Sequence, residues 1–479
     1  MAEPHTTSGQ GRGPGRAHDL VAAALDRAAA VAHLNAFITL DAEGALAQAA
    51  RSDARRDARG GGPTPWSLVV KDNTHVAGLP NTAGTPALAD FVPTADAPVV
   101  AALRSAGAIV LGKTNMHELS LGATSCNHTF GAVGNATDPA LFAGGSSGGT
   151  AVAVAVGVAE AGLGTDTGGS VTIPAALNGV YGLRPSAGRY SSAGVTPLST
   201  TRDTPGLMAR TLDRLTTLDA LVTGAREATA ARRTTGARGT AGATGTADTP
   251  AAPARPLRLG LPRQVFAEDL EAAVRTAWEQ ALDRLTAART TWVPVDTAHL
   301  VEYDARIGFP LVFGEFATAL GRYLTEHGAG VGPAELIAAV GDPDLAALLG
   351  ATALPGSPGY PGEAGLRSAL ATRRTLQEAY AQLFTAHGLD ALLSPTVPVC
   401  ARPLRRYEDS LPLNGRDAPT FHTLIRNTSP AATAGLPSVT IPLPVTGSAP
   451  VGVQLIGRRL ADRELLATAA RVDAVLRCP

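Results

Sequence analysis

The sequence predicts an α/β protein folded as a single compact domain, and three observations carry that expectation. Short apolar runs alternate with helical segments from 65 to 225, the pattern of a sheet flanked by helices. Runs such as Leu68-Val69-Val70 and Ala108-Ile109-Val110-Leu111 lack polar residues at every second position, so they read as strands covered on both faces. With 479 residues, 45% of them hydrophobic, the chain can bury a large core.

The elements follow in order. Residues 1–17 are rich in Gly, Pro and polar side chains and are expected to form a flexible tail, leaving 18–479 as the folded domain. Helical patterning begins at Leu20-Val21-Ala22-Ala23-Ala24-Leu25. The strand at Leu68 is followed by a helix from Ala97 to Ser105, the strand at Ala108 and a helix from Thr150 to Ala159. Between 225 and 256 Ala, Thr, Gly and Arg repeat with almost no large apolar residue, which predicts a flexible insertion. A strand at Leu257–Pro262, a helix from Leu270 to Ala287, a strand at Trp292–Val295 and another around Ala391–Thr396 complete the sheet.

Charge and cysteine content narrow the function. The 40 Lys+Arg and 41 Asp+Glu are interspersed, so no basic footprint for nucleic acid is present. Cys126, Cys400 and Cys478 are too few and too scattered for a disulfide framework or a metal site, which fits a reducing cytoplasm. The N-terminal residues have no apolar signal region, and no run reaches the length of a membrane span, so no membrane partner is expected.

Three residues suggest chemistry. Lys71 ends the apolar run Trp66-Ser67-Leu68-Val69-Val70; Ser146 lies in Gly144-Gly145-Ser146-Ser147-Gly148-Gly149; Ser170 closes Asp166-Thr167-Gly168-Gly169-Ser170. A serine hydroxyl must lose its proton to a base as it attacks a carbonyl. Burial at a strand end disfavours the ammonium form and can make a lysine that base. The oxyanion formed needs donors, and a turn of small residues entering a helix, here Thr167, Gly168, Gly169 and Ser170, aims backbone N–H groups at one point.

With these residues the chain resembles the amidase signature family of serine hydrolases, from Leu34 to about Val222 and again from about Leu383 to Val475. The resemblance implies an amidase signature fold: a single α/β/α domain with a large mixed central sheet covered by helices. It implies Lys71 as base, Ser146 after a cis peptide as proton relay, and Ser170 as nucleophile, with Ser147 as a further hydrogen-bonding serine. No cofactor and no metal are expected. The phrases Val76 to Thr85, Gly188-Arg189-Tyr190-Ser191 and Thr201-Arg202-Asp203-Thr204-Pro205-Gly206 are most similar to indoleacetamide and mandelamide hydrolases.

One departure stands out. The family usually has Ser-(Ile/Val)-Arg-x-Pro-Ala after the nucleophile, whereas this chain reads Ser170-Val171-Thr172-Ile173-Pro174-Ala175. Threonine cannot replace the guanidinium that would pair with Asp166, so Asp166 is expected to have a different partner. Gly134 and Ala136 also depart from an Arg-Asn-Pro pattern, which predicts a locally rebuilt loop.

Two motif matches fail on context. Gly107-Ala108-Ile109-Val110-Leu111-Gly112-Lys113-Thr114 fits the phosphate-loop pattern, but its four variable positions form an apolar strand rather than an open cradle. Gly144-Gly145-Ser146-Ser147-Gly148 fits the nucleophile elbow, yet His299, His327, His387 and His422 sit in no phrase that would complete a triad. His75, His117 and His128 match no zinc spacing and are expected to pack or to line a pocket.

The expected function is hydrolysis of a small, arylacetamide-like carboxamide through a Ser170 acyl-enzyme, releasing ammonia or an amine. An acyltransferase using the same intermediate is the first alternative. A partner-bound or catalytically weakened member, motivated by Thr172, is the second. The expected partner is a small-molecule amide, and a homodimer is left open. Pocket residues are expected from 300 to 380 and from loops near 400 to 425.

Overall fold

The computed structural model describes residues 16–235, 255–262, 264–404, 409–444 and 449–478. The expected tail therefore lies outside the described residues up to position 15. A helix, Leu212–Thr235, runs into the span expected as an insertion at 225–256, and residues 236–254 of that span lie outside the described residues.

Among the described residues eleven strands form one mixed sheet. In chain order the strands are β1 (Phe37–Leu40), β2 (Trp66–Lys71), β3 (Ala108–Thr114), β4 (Ala161–Asp166), β5 (Tyr181–Arg184), β6 (Thr204–Ala209), β7 (Arg258–Pro262), β8 (Thr291–Val295), β9 (Ala391–Pro395), β10 (Ser410–Leu413), β11 (Arg416–Pro419), β12 (Ser438–Pro442) and β13 (Gly452–Ile456). The sheet order is β1-β3-β2-β4-β6-β5-β12-β13-β9-β7-β8, and β10 and β11 form a separate hairpin. β2 runs parallel to β3 and β4, β7 runs parallel to β8 and β9, and the pairs joining these groups are antiparallel.

The apolar runs go to both faces because side chains of a strand alternate. Leu68 and Val70 pack with Leu103, Leu215 and Leu218 on one face, beneath the helices Pro98–Ser105 and Leu212–Thr235. Val69 points the other way, against Val152 and Val154 of the helix Gly148–Ala155. This is the α/β/α layering expected from the sequence. Among the described residues no helix is long and apolar enough to cross a membrane.

The rejected phosphate loop is strand. Ala108 to Thr114 is buried throughout, and Lys113 forms an ion pair with Asp72 at 3.2 Å while donating to the Pro80 carbonyl.

Candidate active site

The register of the parallel pair β2 and β4, with Val70 opposite Leu163, carries Lys71 and Thr165 to the same end of the sheet. These are the carboxyl ends of parallel strands, where open α/β sheets place their sites. Lys71 Nζ stands 2.7 Å from Ser146 Oγ and 2.9 Å from Thr165 Oγ1. Its side chain has no exposed surface. Burial lowers its pKa to about 7 against the opposing pull of Asp166 and Asp203, so neutral lysine is available near neutral pH.

The Gly145–Ser146 peptide is cis, as the resemblance implied. The Ser146 carbonyl accepts from the His117 amide at 3.1 Å and from Ser125 Oγ at 3.3 Å, which fixes the backbone behind its hydroxyl. Ser147 ties this turn to the next one. Its amide donates to the Ser170 carbonyl at 3.1 Å, and its hydroxyl donates to the Thr165 carbonyl at 3.2 Å. Ser170 is 8% exposed, lines a cavity, and its hydroxyl makes no hydrogen bond among the described residues.

The turn from Asp166 to Ser170 is oriented by its carbonyls. Arg202 Nε donates to the Thr167 carbonyl at 3.2 Å, and the Gly169 carbonyl accepts from the Ile173 amide at 2.8 Å and from Thr172 Oγ1 at 3.2 Å. C=O and N–H of a trans peptide point in opposite directions, so the amides of Gly168 and Ser170 face away from those partners. Gly169, expected among the oxyanion donors, requires correction: its amide donates to Asp166 Oδ1 at 2.8 Å and is spent inside the turn. The amides of Thr167, Gly168 and Ser170 have no hydrogen-bond acceptor among the described residues. Gly169 is required for a different reason, since its φ of +128° lies in a region that side chains disfavour.

Asp166 does have a different partner. Arg184 Nη1 donates to its Oδ1 at 2.8 Å and to its carbonyl at 2.5 Å, while the Val171 amide donates to Oδ2 at 2.8 Å. Thr172 is 1% exposed, and its hydroxyl is turned to the Gly169 carbonyl. In the Gly134 loop, Gly134 is bridged to Phe142 and its Cα is so close to the Pro139 carbonyl that a Cβ would stand 2.9 Å away.

The three histidines near these phrases are dispersed. His75 pairs with the Tyr323 hydroxyl at 2.7 Å, and its pKa is lowered to about 4, mainly by burial. His128 faces Asp342 at 3.4 Å. His117 and His128 both line an outer cavity of 920 Å³. An inner cavity of 290 Å³ touches Ser170, Thr167 and Gly168 and is walled by Ile173, Phe309, Val312 and Phe421. Part of its wall, from 301–312 and 421–425, falls in the regions expected to form the pocket, whereas Ser120 to Ala123, Leu198, Arg202 and Ser429 line it from outside those regions.

Comparison with known proteins shows the family. A family model described as Amidase matches residues 19–466. The chain belongs to the amidase signature family. It is 39% identical to mandelamide hydrolase of Pseudomonas putida, covering 95% of this chain and 88% of that one. It is 36% identical to indoleacetamide hydrolase of Allorhizobium ampelinum, over 96% and 94% of the two chains. A crystal structure of an amidase superposes with a TM-score of 0.79 at 32% identity and covers 96% of each chain. This amidase is an amide-hydrolysing enzyme with the family's α/β fold.

Proposed function

We propose that this amidase cleaves a small arylacetamide-like carboxamide through a Ser170 acyl-enzyme, with Ser146 as relay and Lys71 as base. The observation that carries this reading is the 2.7 Å contact between Ser146 and a fully buried lysine whose pKa is about 7. Ser170 Oγ bonds to the amide carbon as its proton passes to Ser146 and the Ser146 proton passes to Lys71. The carbonyl oxygen takes the electron pair and is met by the amides of Thr167, Gly168 and Ser170. On collapse the C–N bond breaks, and the proton returns from Lys71 through Ser146 to the departing nitrogen. Water then repeats the path and leaves a carboxylate.

The walls formed by Phe309, Phe421 and Val312 suit an aromatic acyl group, as do the names of the two hydrolases above. Arg184 on Asp166 speaks against a weakened enzyme, because the turn keeps a cationic partner despite Thr172. Among the described residues the cysteines form no disulfide, which fits a reducing, cytoplasmic setting.

A second reading, acyl transfer, draws on the outer cavity. It shares Leu121, Gly122, Ala123 and Phe309 with the inner one and has room for an amine that competes with water. Supplying arylacetamides with and without hydroxylamine separates the two. Ammonia release with carboxylate as the dominant product supports hydrolysis; hydroxamate formation that outruns carboxylate at millimolar acceptor supports transfer. No ammonia or amine release from any small amide contradicts both.

A further inference from the structure

Among the apolar side chains of the inner cavity sits one carboxylate with an open oxygen. Asp304 lies on the helix Ala298–Glu326, one turn after Val301 and one turn before Gly308, so it shares the cavity face with both. Its Oδ1 is occupied, accepting from Ser429 Oγ at 3.2 Å and from Thr433 Oγ1. Its Oδ2 accepts no hydrogen bond among the described residues, and the side chain is only partly buried.

The neighbouring cation does not cover that oxygen. Arg202 donates through Nε to the Thr167 carbonyl, through Nη1 to the Gly308 carbonyl at 2.8 Å, and through Nη2 to Ser429 Oγ at 3.0 Å. It forms no ion pair with Asp304 among the described residues. Ser429 thus accepts from Arg202 and donates to Asp304, which fixes Oδ1 as the occupied carboxylate oxygen and leaves Oδ2 without a partner among the described residues. Arg426, also on the wall, is turned outward to the Glu268 carbonyl.

An apolar acyl group placed here takes Oδ2 out of solvent and returns no hydrogen bond. A buried acceptor left unpaired costs about 1–3 kcal/mol, more when charged. A site arranged this way rejects a ligand that lacks the donor far more strongly than one that merely differs by a methylene.

We propose that Asp304 is a specificity-determining residue whose Oδ2 selects aromatic acyl groups bearing a hydrogen-bond donor: a hydroxyl, a ring N–H or an ammonium. This rests on the acyl-enzyme reading, which places the carbonyl at the Thr167–Ser170 turn and the ring against the Phe309 wall. Asp304 does not touch the reacting atoms.

The test is binding to the non-turnover variant Ser170→Ala, by calorimetry, of four matched arylacetamides: bare ring, ring hydroxyl, ring methoxy and ring aminomethyl. The hydroxyl or aminomethyl compound binds at least about tenfold more tightly than the bare ring, the value of one hydrogen bond to a charged group; which of the two leads tells a neutral donor from a cation. Asp304→Asn in the same background keeps Oδ1 for Ser429 and Thr433 but turns Oδ2 into a donor. It erases the hydroxyl preference and improves the methoxy compound relative to the bare ring. A merely structural role for Asp304 weakens all four compounds equally, and that result overturns the proposal, as does a Ser170→Ala variant that ranks them alike. Wild-type protein is labelled in parallel with a fluorophosphonate. Labelling at Ser170 with no donor preference rejects Asp304 alone, whereas no labelling and no binding reject the acyl-enzyme reading beneath it.

Discussion

Arg184 reaches Asp166 from β5, 2.8 Å from its carboxylate, and supplies the guanidinium that Thr172 cannot. Both side chains are buried, and the same guanidinium donates to the carbonyls of Arg202 and Ala432. The turn carrying the proposed oxyanion donors is therefore pinned from the sheet side by Arg184 as well as from the start of its own helix by the Val171 amide.

Removing Arg184 leaves Asp166 charged and buried. Arg184→Ala is expected to destabilise the fold by about 3–5 kcal/mol, the cost of breaking a buried pair by deleting one member. The midpoint of denaturant unfolding, with the slope unchanged, measures it. A shift corresponding to less than about 1 kcal/mol would show that Asp166 is held adequately by the amides of Gly169 and Val171.

Thr172→Arg is expected to lower amide hydrolysis. Thr172 donates to the Gly169 carbonyl, its own carbonyl accepts from Thr440, and its side chain is enclosed. A longer side chain overpacks the site at a cost of about 1–3 kcal/mol while Asp166 already has its cation. A rise of about tenfold in kcat/KM, equal to roughly 1.4 kcal/mol, contradicts this and marks the native turn as damaged.

The pH profile follows from Lys71. A base must be neutral to act, and a pKa of about 7 means that kcat/KM rises as pH increases through 7 and levels off above it. Lys71→Ala removes the limb and about 10²–10⁴ of the acylation rate. An unchanged acid limb in that variant assigns the titration to another group.

Thr165 touches the same base. Its hydroxyl accepts from Asn73 Nδ2 at 3.0 Å and meets Lys71 Nζ, and as an acceptor it favours the ammonium form. Thr165→Val is expected to move the acid limb of kcat/KM to lower pH and to cost about tenfold in rate, whereas Thr165→Ser keeps both near the parent. A limb that stays in place shows that Thr165 acts only in packing.

Much of this arrangement is legible in the sequence because it is local. The apolar runs around Val69 and Val110 declare buried strands, and the two glycine-serine phrases declare turns that only backbone amides and small hydroxyls can fill. Arg184 is not legible, since Tyr181-Gly182-Leu183-Arg184 reads as an ordinary strand with a polar end. Only the pairing of β5 with β6, and of β6 with β4, brings it to Asp166. Thr165 is hidden for the same reason, its partner being on a neighbouring strand. The commitment of the Gly169 amide to Asp166 depends on peptide orientation, which residue types alone do not fix. Asp304 comes from a helix whose role is set by where it packs rather than by any motif.

The nucleophile assignment is tested most directly by intact-mass measurement of the wild-type protein and of Ser170→Ala after exposure to a fluorophosphonate, with the adduct located by peptide mapping. Ser170 stands at the cavity with a free hydroxyl, while the hydroxyl of Ser146 is engaged by Lys71. The account predicts one adduct on the wild-type chain, at Ser170, and none on Ser170→Ala at neutral pH. An adduct on Ser146, or labelling of Ser170→Ala at the wild-type rate, would contradict it.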